Sequence, residues 1–275
     1  MCGIRARLVA TDLDGTIVRS DGGISARTVA ALDAVERAGG QIVLVTGRPP
    51  RWMGPIVDAV GHRGVALCAN GAMVYDLRAD RVVSARLIDA ETLAEAVARL
   101  RRALPDAGFG VEYADGMVAE RTYDLSGWDS VDTVRRRVDA AELVALPCAK
   151  LLVRDRVLAA DDLLAVVRGA LGGLLTPTHS NGTRLVEVSA LGVDKATALA
   201  AYCDDRGIAA AEVVAFGDMP NDLPMLGWAG TAYAVRNAHP EVLAAVGRHT
   251  SSNDDDGVAR VLERLFGEDA LTPKP

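Results

Sequence analysis

Apolar residues recur in five short uninterrupted runs, and each run ends at a polar residue or a glycine. The runs span residues 8–11, 42–45, 65–69, 213–216 and 231–235. Continuous apolar runs of this length are typical of strands that are buried on both faces, as in a parallel sheet. The pattern therefore predicts a parallel sheet that is built from both ends of the chain.

Helical periodicity separates these predicted strands. Apolar residues lie at helical spacing over 29–35, just before the two glycines at 39 and 40, and again over 196–203. Glycine commonly ends helices because it adopts the left-handed conformation without strain. Alternation of strand and helix predicts an α/β fold with a doubly wound parallel sheet, of the kind called Rossmannoid.

Residues 84–188 have a different pattern. An amphipathic helix is predicted over 89–104, with Asp89 as its cap, and short strand-like segments surround it. Asn181-Gly182 is a dipeptide that favours a tight hairpin turn. Hairpins mixed with helices indicate an antiparallel α+β module. We therefore predict a core domain of residues 1–83 and 189–275 that is interrupted by an inserted α+β cap domain.

Composition narrows the class of protein. Half of the 275 residues are hydrophobic and 24% are charged, which is typical of a folded globular chain. The formal net charge of -7 argues against broad binding to nucleic acid or to an anionic membrane, since either would need a basic face. The four cysteines are far apart, which argues against a disulfide framework or a zinc site. The N-terminus lacks the long apolar run of a signal peptide, so we expect a cytoplasmic protein.

Carboxylates directly follow two of the predicted strands. Asp12 and Asp14 come after the first apolar run, and Asp218 comes after the run that ends at residue 216. Ligands of open α/β sheets bind beyond the carboxyl ends of the strands, although acids in these positions can also serve only to cap helices. Several carboxylates at one sheet edge, with no histidine or cysteine nearby, predict a Mg²⁺ site rather than a zinc site.

A hydroxyl and a lysine complete the predicted chemistry. Thr46 lies at another strand end, and Lys195 lies in the first turn of a predicted helix, where a positive charge opposes the helix dipole. Only three of the 30 basic residues are lysine, so its presence there indicates that a point charge is needed. A metal ion, a hydroxyl and a lysine around a carboxylate nucleophile suit phosphoryl transfer, which depends mainly on positioning and charge stabilisation.

Four segments make the sequence familiar: DLDGT, VTGR, GVDKATAL and GDMPNDLPML. In this order, and spread over nearly the whole chain, they resemble the haloacid dehalogenase-like phosphatases, in particular the Cof-like branch with a large α+β cap. The stretches VALCANGA and SSNDDDGVARVLE also resemble that family. The resemblance implies Mg²⁺-dependent hydrolysis of a small phosphorylated metabolite, such as a sugar phosphate, through an aspartyl-phosphate intermediate.

The resemblance also implies a role for individual residues. Asp12 would be the nucleophile, Asp14 the general acid and base, and Thr46 and Lys195 would hold the phosphoryl oxygens. The implied metal-site residues are Asp12, the backbone carbonyl of Asp14, Asp218, Asn221 and Asp222, the last two as ligands or as supports.

Substrate contacts are predicted from their places in the chain. The predicted substrate-binding residues are Thr46, Gly47, Arg48, Asn70, Arg184 and Lys195. Lys150 and His179 are further candidates in the cap. For both of these, and for Arg184, an ordinary exposed surface position is the favoured alternative.

Two rival functions share these residues. A receiver-like phosphoacceptor domain also places acids, a threonine and a lysine around Mg²⁺, but it has no use for a second carboxylate two residues after the nucleophile. A phosphomutase built on the same core would share every residue named above. A nucleotide-binding protein of the Rossmann type is disfavoured, since no G-x-G-x-x-G follows a strand.

Overall fold

The computed structural model describes residues 6–61, 64–125, 134–180 and 184–267. The strands, in chain order, are β1 (Leu8–Thr11), β2 (Gln41–Val45), β3 (Val65–Cys68), β4 (Met73–Asp76), β5 (Arg81–Ala85), β6 (Gly108–Glu112), β7 (Met117–Glu120), β8 (Val134–Val138), β9 (Lys150–Arg154), β10 (Thr176–Thr178), β11 (Leu185–Ser189), β12 (Val213–Gly217) and β13 (Thr231–Ala234). The α-helices are α1 (Ala26–Arg37), α2 (Gly54–Val60), α3 (Ala90–Ala103), α4 (Ala140–Leu143), α5 (Ala160–Leu171), α6 (Lys195–Asp204), α7 (Leu223–Trp228), α8 (Pro240–Ala245) and α9 (Gly257–Phe266).

The first sheet is built from both ends of the chain. Its seven strands lie in the order β13-β12-β1-β2-β3-β4-β5, and the five strands from β13 to β3 are parallel. Strands β4 and β5 extend it antiparallel at one edge. Strands β1 and β12 are buried along their whole length because helices cover both faces, which explains their continuous apolar runs. The predicted α/β class with a parallel central sheet is confirmed.

The second sheet comes entirely from the middle of the chain. Its six strands lie in the order β10-β11-β9-β6-β7-β8, antiparallel except for the β7–β8 pair. Strands β10 and β11 pair antiparallel, as the predicted hairpin requires. The predicted turn residues Asn181 and Gly182 themselves lie outside the described residues.

Each sheet has its own apolar core. Residues of the first sheet pack with helices such as α1 and α9, whereas Leu151, Val153, Val186 and Val188 of the second sheet pack with α3 and α5. Helix α3 begins where the sequence predicts, because the Asp89 carboxylate accepts a hydrogen bond from the Thr92 amide at 2.8 Å. Along the described parts of the chain, the longest apolar helices fall short of what a membrane crossing requires.

Candidate active site

Asp12 and Asp218 meet because β1 and β12 are paired neighbours. Their register aligns Thr11 with Phe216, and the amide of Asp12 donates to the Phe216 carbonyl at 3.0 Å. Both carboxyl-bearing residues are only 6% exposed. The sheet topology therefore places acids from opposite ends of the chain side by side, at the carboxyl ends of adjacent strands.

Gly15 allows this close approach. Its φ of +77° lies in the left-handed region, and a Cβ there would lie 2.4 Å from Oδ2 of Asp218. The next residue, Thr16, donates its hydroxyl to Oδ1 of Asp218 at 3.0 Å. Any side chain at position 15 would displace the Asp218 carboxylate from the site.

Lys195 joins two of the acids. It is the first residue of α6, is 1% exposed, and places its Nζ 2.6 Å from Oδ1 of Asp12 and 2.6 Å from Oδ1 of Asp222. The other oxygen of Asp222 accepts the amides of Asp218 and Met219 at 3.0 Å each. Three donors thus engage the two carboxylate oxygens of Asp222.

In the part of the chain that the structure describes, the buried carboxylates of Asp12, Asp218 and Asp222 lie around a single cation, the ammonium group of Lys195. Burial raises the pKa of Asp12 to about 7, and the negative charges of Asp222 and Asp14 add to this effect against the opposing influence of Lys195. Burial and the charges of Asp12 and Asp222 raise the pKa of Asp218 to about 9. Burial alone would lower the pKa of Lys195, but Asp12 and Asp222 raise it above its ordinary value. The site therefore favours an additional positive charge.

The donor set fits a divalent cation. Ligand atoms of Asp12, Asp218 and Asp222 all lie within 4.8 Å of one another. Among the described residues, the buried Oδ1 of Asn221 has no hydrogen-bond partner, so this oxygen is left for a group from outside the protein. Every donor is an oxygen, as a hard ion such as Mg²⁺ prefers.

Asp14 lies apart from the other carboxylates. Its side chain is 39% exposed, against 8% for Asp12, and the Arg48 guanidinium binds both of its oxygens at 2.5 and 2.8 Å. Arg48, a predicted substrate-binding residue, orients Asp14 in the structure. The Thr46 hydroxyl accepts the Arg48 amide at 3.0 Å, which fixes the turn that follows β2.

The segment 69–71 follows β3 and packs against the start of α6, the helix that carries Lys195. Ala69, Asn70 and Gly71 all have positive φ, of 53°, 58° and 93°. A Cβ on Gly71 would lie 2.5 Å from the Asp194 carbonyl oxygen and 2.7 Å from the Ala198 Cβ. Helix α6 therefore starts against the Gly71 backbone, at a distance that only glycine permits.

A cavity lies between these strand ends and the second sheet. On the first-sheet side its lining includes Asp12, Asp14, Gly47, Arg48, Pro49, Trp52 and Asn221. On the second-sheet side it is lined by Glu112, Lys150, Leu152, Arg154, Ser180, Leu185 and Glu187. Residues 150, 152 and 154 of β9 alternate with the apolar residues 151 and 153, so one face of the second sheet is apolar and the other faces the cavity.

Buried charge pairs cover this second face. Lys150 is 3% exposed and pairs with Glu187, and its Nζ also donates to the Gly47 carbonyl at 2.8 Å. Glu112 pairs with Arg51, which comes from the loop after β2. Lys150 was expected to be exposed, and that expectation is wrong because strand alternation directs its side chain into the cavity. His179 is also buried, at 1% exposure, and its Nε2 lies 2.8 Å from Oδ1 of Asp161.

Two predicted substrate contacts take other positions. Arg184 is exposed and donates to the Arg156 carbonyl, and it is not among the described residues that line the cavity. Asn70 is buried and bonds to Asn221 and Glu187. Sequence reasoning missed Glu112 and Glu187, whose signal is a charged residue inside an otherwise apolar strand.

Comparison with known proteins places the chain in a family. A family model described as haloacid dehalogenase-like hydrolase matches residues 9–262, so the chain belongs to that family. The pyridoxal phosphate phosphatase YbhA of Escherichia coli is 27% identical, over 93% of this chain and 97% of its own length. The 5-amino-6-(5-phospho-D-ribitylamino)uracil phosphatase YitU of Bacillus subtilis is 25% identical, over 94% and 97%.

A solved structure agrees with this membership. The crystal structure of a haloacid dehalogenase-like hydrolase from Bacteroides thetaiotaomicron is 27% identical and superimposes with a TM-score of 0.77, over 95% of this chain and 100% of that one. The resemblance drawn from the four sequence segments is confirmed. The prediction of an enzyme of the phosphatase class is confirmed too, because the family is one of hydrolases and both named relatives are phosphatases.

Proposed function

We propose that this chain is a Mg²⁺-dependent phosphatase that hydrolyses the phosphate monoester of a small metabolite through an aspartyl-phosphate on Asp12. The observation that carries the proposal is the cluster in which buried Lys195 joins Asp12 to Asp222 beside Asp218. The charge and oxygen donors of this cluster suit a divalent cation and a phosphoryl group.

In the first half-reaction, a carboxylate oxygen of Asp12 attacks phosphorus and the bond to the leaving oxygen breaks. Asp14 donates a proton to that oxygen, so the leaving group departs as an alcohol. Lys195 holds Asp12 in position and, with Thr46, stabilises the charge on the transferring oxygens. The cation, when bound, supplies positive charge that favours ionised Asp12 and offsets charge on the phosphoryl group.

In the second half-reaction, water attacks the phosphorus and gives a proton to Asp14, and the bond between phosphorus and the Asp12 oxygen breaks to release phosphate. Asp14 suits both steps because it is more exposed than Asp12 and can exchange protons with solvent. Arg48 keeps its carboxylate oriented between the two steps. Asp12, Asp218 and the Asp14 carbonyl are the proposed metal ligands, with Asn221 beside them and Asp222 in support.

We propose that residues 84–188 form a cap that selects the leaving group. The second sheet presents a face of polar and apolar side chains to the cavity, opposite Asp12 and Asp14. The two named relatives differ in the substrates their names state, which supports a selection of substrate by residues outside the catalytic cluster. Exchange of residues 84–188 for the cap of a relative should change the ranking of substrates, and an unchanged ranking would place selection in the core loops.

The test is phosphate release from sugar phosphates, pyridoxal phosphate, nucleotides and an aryl phosphate, first with Mg²⁺ and then with EDTA. Many turnovers that stop with EDTA would support the proposal. Phosphate transfer between positions of one substrate without release would instead indicate a mutase. A receiver-like role is set aside, because the matched family is one of hydrolases.

A further inference from the structure

Three side chains form a line of hydrogen bonds from the second sheet to the candidate metal site. Glu187 of β11 accepts from Nδ2 of Asn70 at 3.3 Å, and Oδ1 of Asn70 accepts from Nδ2 of Asn221 at 3.0 Å. All three residues are at most 5% exposed. The line ends at Oδ1 of Asn221, the buried oxygen that has no partner among the described residues.

The direction of this line is set at Glu187. An ionised carboxylate only accepts hydrogen bonds, whereas an asparagine amide has an accepting end and a donating end. Glu187 also accepts from Lys150 and from the Ser180 hydroxyl. Burial works against its charge, but Lys150 and these hydrogen bonds hold the pKa of Glu187 below its ordinary value. Glu187 is therefore an acceptor at neutral pH.

Each amide orientation then follows from the one before it. Because Glu187 accepts, Asn70 must turn its NH₂ toward Glu187 and its oxygen toward Asn221. Because that oxygen accepts, Asn221 must turn its NH₂ toward Asn70 and its own oxygen away. A reversed amide at either position would bring two donors or two acceptors together in a buried place, which is costly.

Asn70 is held firmly enough to transmit this orientation. Its φ of 58° is left-handed, a conformation that asparagine tolerates better than most residues. The backbone amide of Asn70 donates to the Thr46 carbonyl at 2.9 Å, and the backbone amide of Ala69 donates to the Arg48 carbonyl at 2.9 Å. These hydrogen bonds hold the backbone of segment 69–71 against the loop after β2. The backbone position from which the Asn70 side chain extends is therefore fixed.

We infer that Glu187 is a positioning residue for the divalent cation: through Asn70 it orients the Asn221 amide so that an oxygen, and not an NH₂ group, is offered to the cation or to its bound water. The inference rests on the proposed function. It assigns to the second sheet a part in metal binding, since the acceptor that orients both core amides comes from β11.

The experiment measures binding of Mg²⁺ alone, without substrate, by isothermal titration calorimetry on the full chain. Glu187→Gln lets the amide orientations reverse, and we expect the Kd for Mg²⁺ to rise about tenfold, as for other partners that orient metal ligands. Asn70→Gly removes the connecting amide, while glycine accepts the positive φ, and should raise the Kd equally. The double variant should bind no more weakly than Asn70→Gly alone, because both changes interrupt one line.

Glu112→Gln is the matched control. It neutralises another buried glutamate of the second sheet, one that is ion-paired with Arg51 of the first-sheet side. Its Kd for Mg²⁺ should stay within about twofold of wild type. Equal weakening by Glu112→Gln, or multiplied effects in the double variant, would show that only general damage is measured and would overturn the inference.

Other outcomes separate the two proposals. Wild-type Mg²⁺ affinity in Glu187→Gln would overturn the inference and leave the phosphatase proposal intact. Absence of Mg²⁺ binding by the wild-type chain would overturn both. If circular dichroism shows that Glu187→Gln does not fold, Asn70→Gly decides the question by itself: unchanged affinity there overturns the inference.

Discussion

The two sides of the cavity differ in where their charged and polar residues lie on the strands. On the first sheet, Asp12, Thr46 and Asp218 follow the ends of buried parallel strands, and these strand ends lie side by side because the strands are neighbours. On the second sheet, Glu112, Lys150 and Glu187 lie within strands and reach the cavity by alternation. The first side is suited to hold one fixed group, whereas side chains of the second side other than Glu187 can vary without disturbing the strand ends. We therefore expect chemistry to be lost on one side and selectivity to change on the other.

The largest effect should come from Asp12→Asn. The amide is a poor nucleophile of nearly the same shape, so kcat should fall by about 10⁴-fold or more while the fold is kept. Steady-state phosphate release measures the loss, and circular dichroism checks the fold. Turnover within tenfold of wild type would exclude Asp12 as the nucleophile.

Lys195→Met should have the next largest effect. It removes the cation between Asp12 and Asp222 but keeps an unbranched side chain of similar length, so kcat/KM should fall by about 10²–10³-fold. Arg102→Ala, at an exposed position of α3, is the control for loss of a positive charge and should match wild type. Equal kcat/KM in Lys195→Met and Arg102→Ala would remove Lys195 from the mechanism.

The stability of the metal-free chain should depend on pH through the same acids. Asp12 and Asp218 have folded-state pKa values of about 7 and about 9, above the ordinary value of 3.8, so the folded state binds their protons more tightly than the unfolded state does. Their contribution is present below pH 3.8 and is lost as pH rises through 7 and 9. The Tm without metal should therefore fall between pH 6 and pH 9, and saturating Mg²⁺ should reduce the fall. Asp218→Asn should flatten the profile, and an identical slope in that variant would contradict the assignment.

The smallest effect belongs to the second sheet. Glu112→Gln changes a charge in the second-sheet wall of the cavity, so the KM for a good substrate should rise about tenfold while kcat stays within about threefold. Kinetics on three or more substrates measure the split. A fall in kcat with unchanged KM would contradict the division between the two sides.

The sequence predicts the first side well because its signals are local. An apolar run predicts a buried strand, and an acid that follows the run is predicted to lie at the carboxyl end of that strand, as Asp12 and Asp218 do. Lys195 is conspicuous among arginines, and the four familiar segments supply the roles. These features required no knowledge of which distant strands pair.

The second side could not be predicted in the same way. The direction in which Lys150 points depends on which face of β9 is covered by α3 and α5, and the sequence of one strand does not state this. Asn70 is predicted to bind substrate from its position after a strand, but its side-chain partners come from β11 and from the segment after β12. Arg184 illustrates the converse: it lies next to a strand, but it donates to the Arg156 carbonyl and is not among the described residues that line the cavity.

The missing side chain at Gly71 limits how this sequence can vary. Since α6 starts against that backbone, and since Lys195 is its first residue, any larger residue at 71 would move the lysine away from Asp12. Substitution of Gly71 would then abolish activity as substitution of a catalytic residue does, although Gly71 contributes no atom to the reaction. In a library randomised at 71 and 195 and selected for activity, glycine should be recovered at 71 as strictly as lysine at 195.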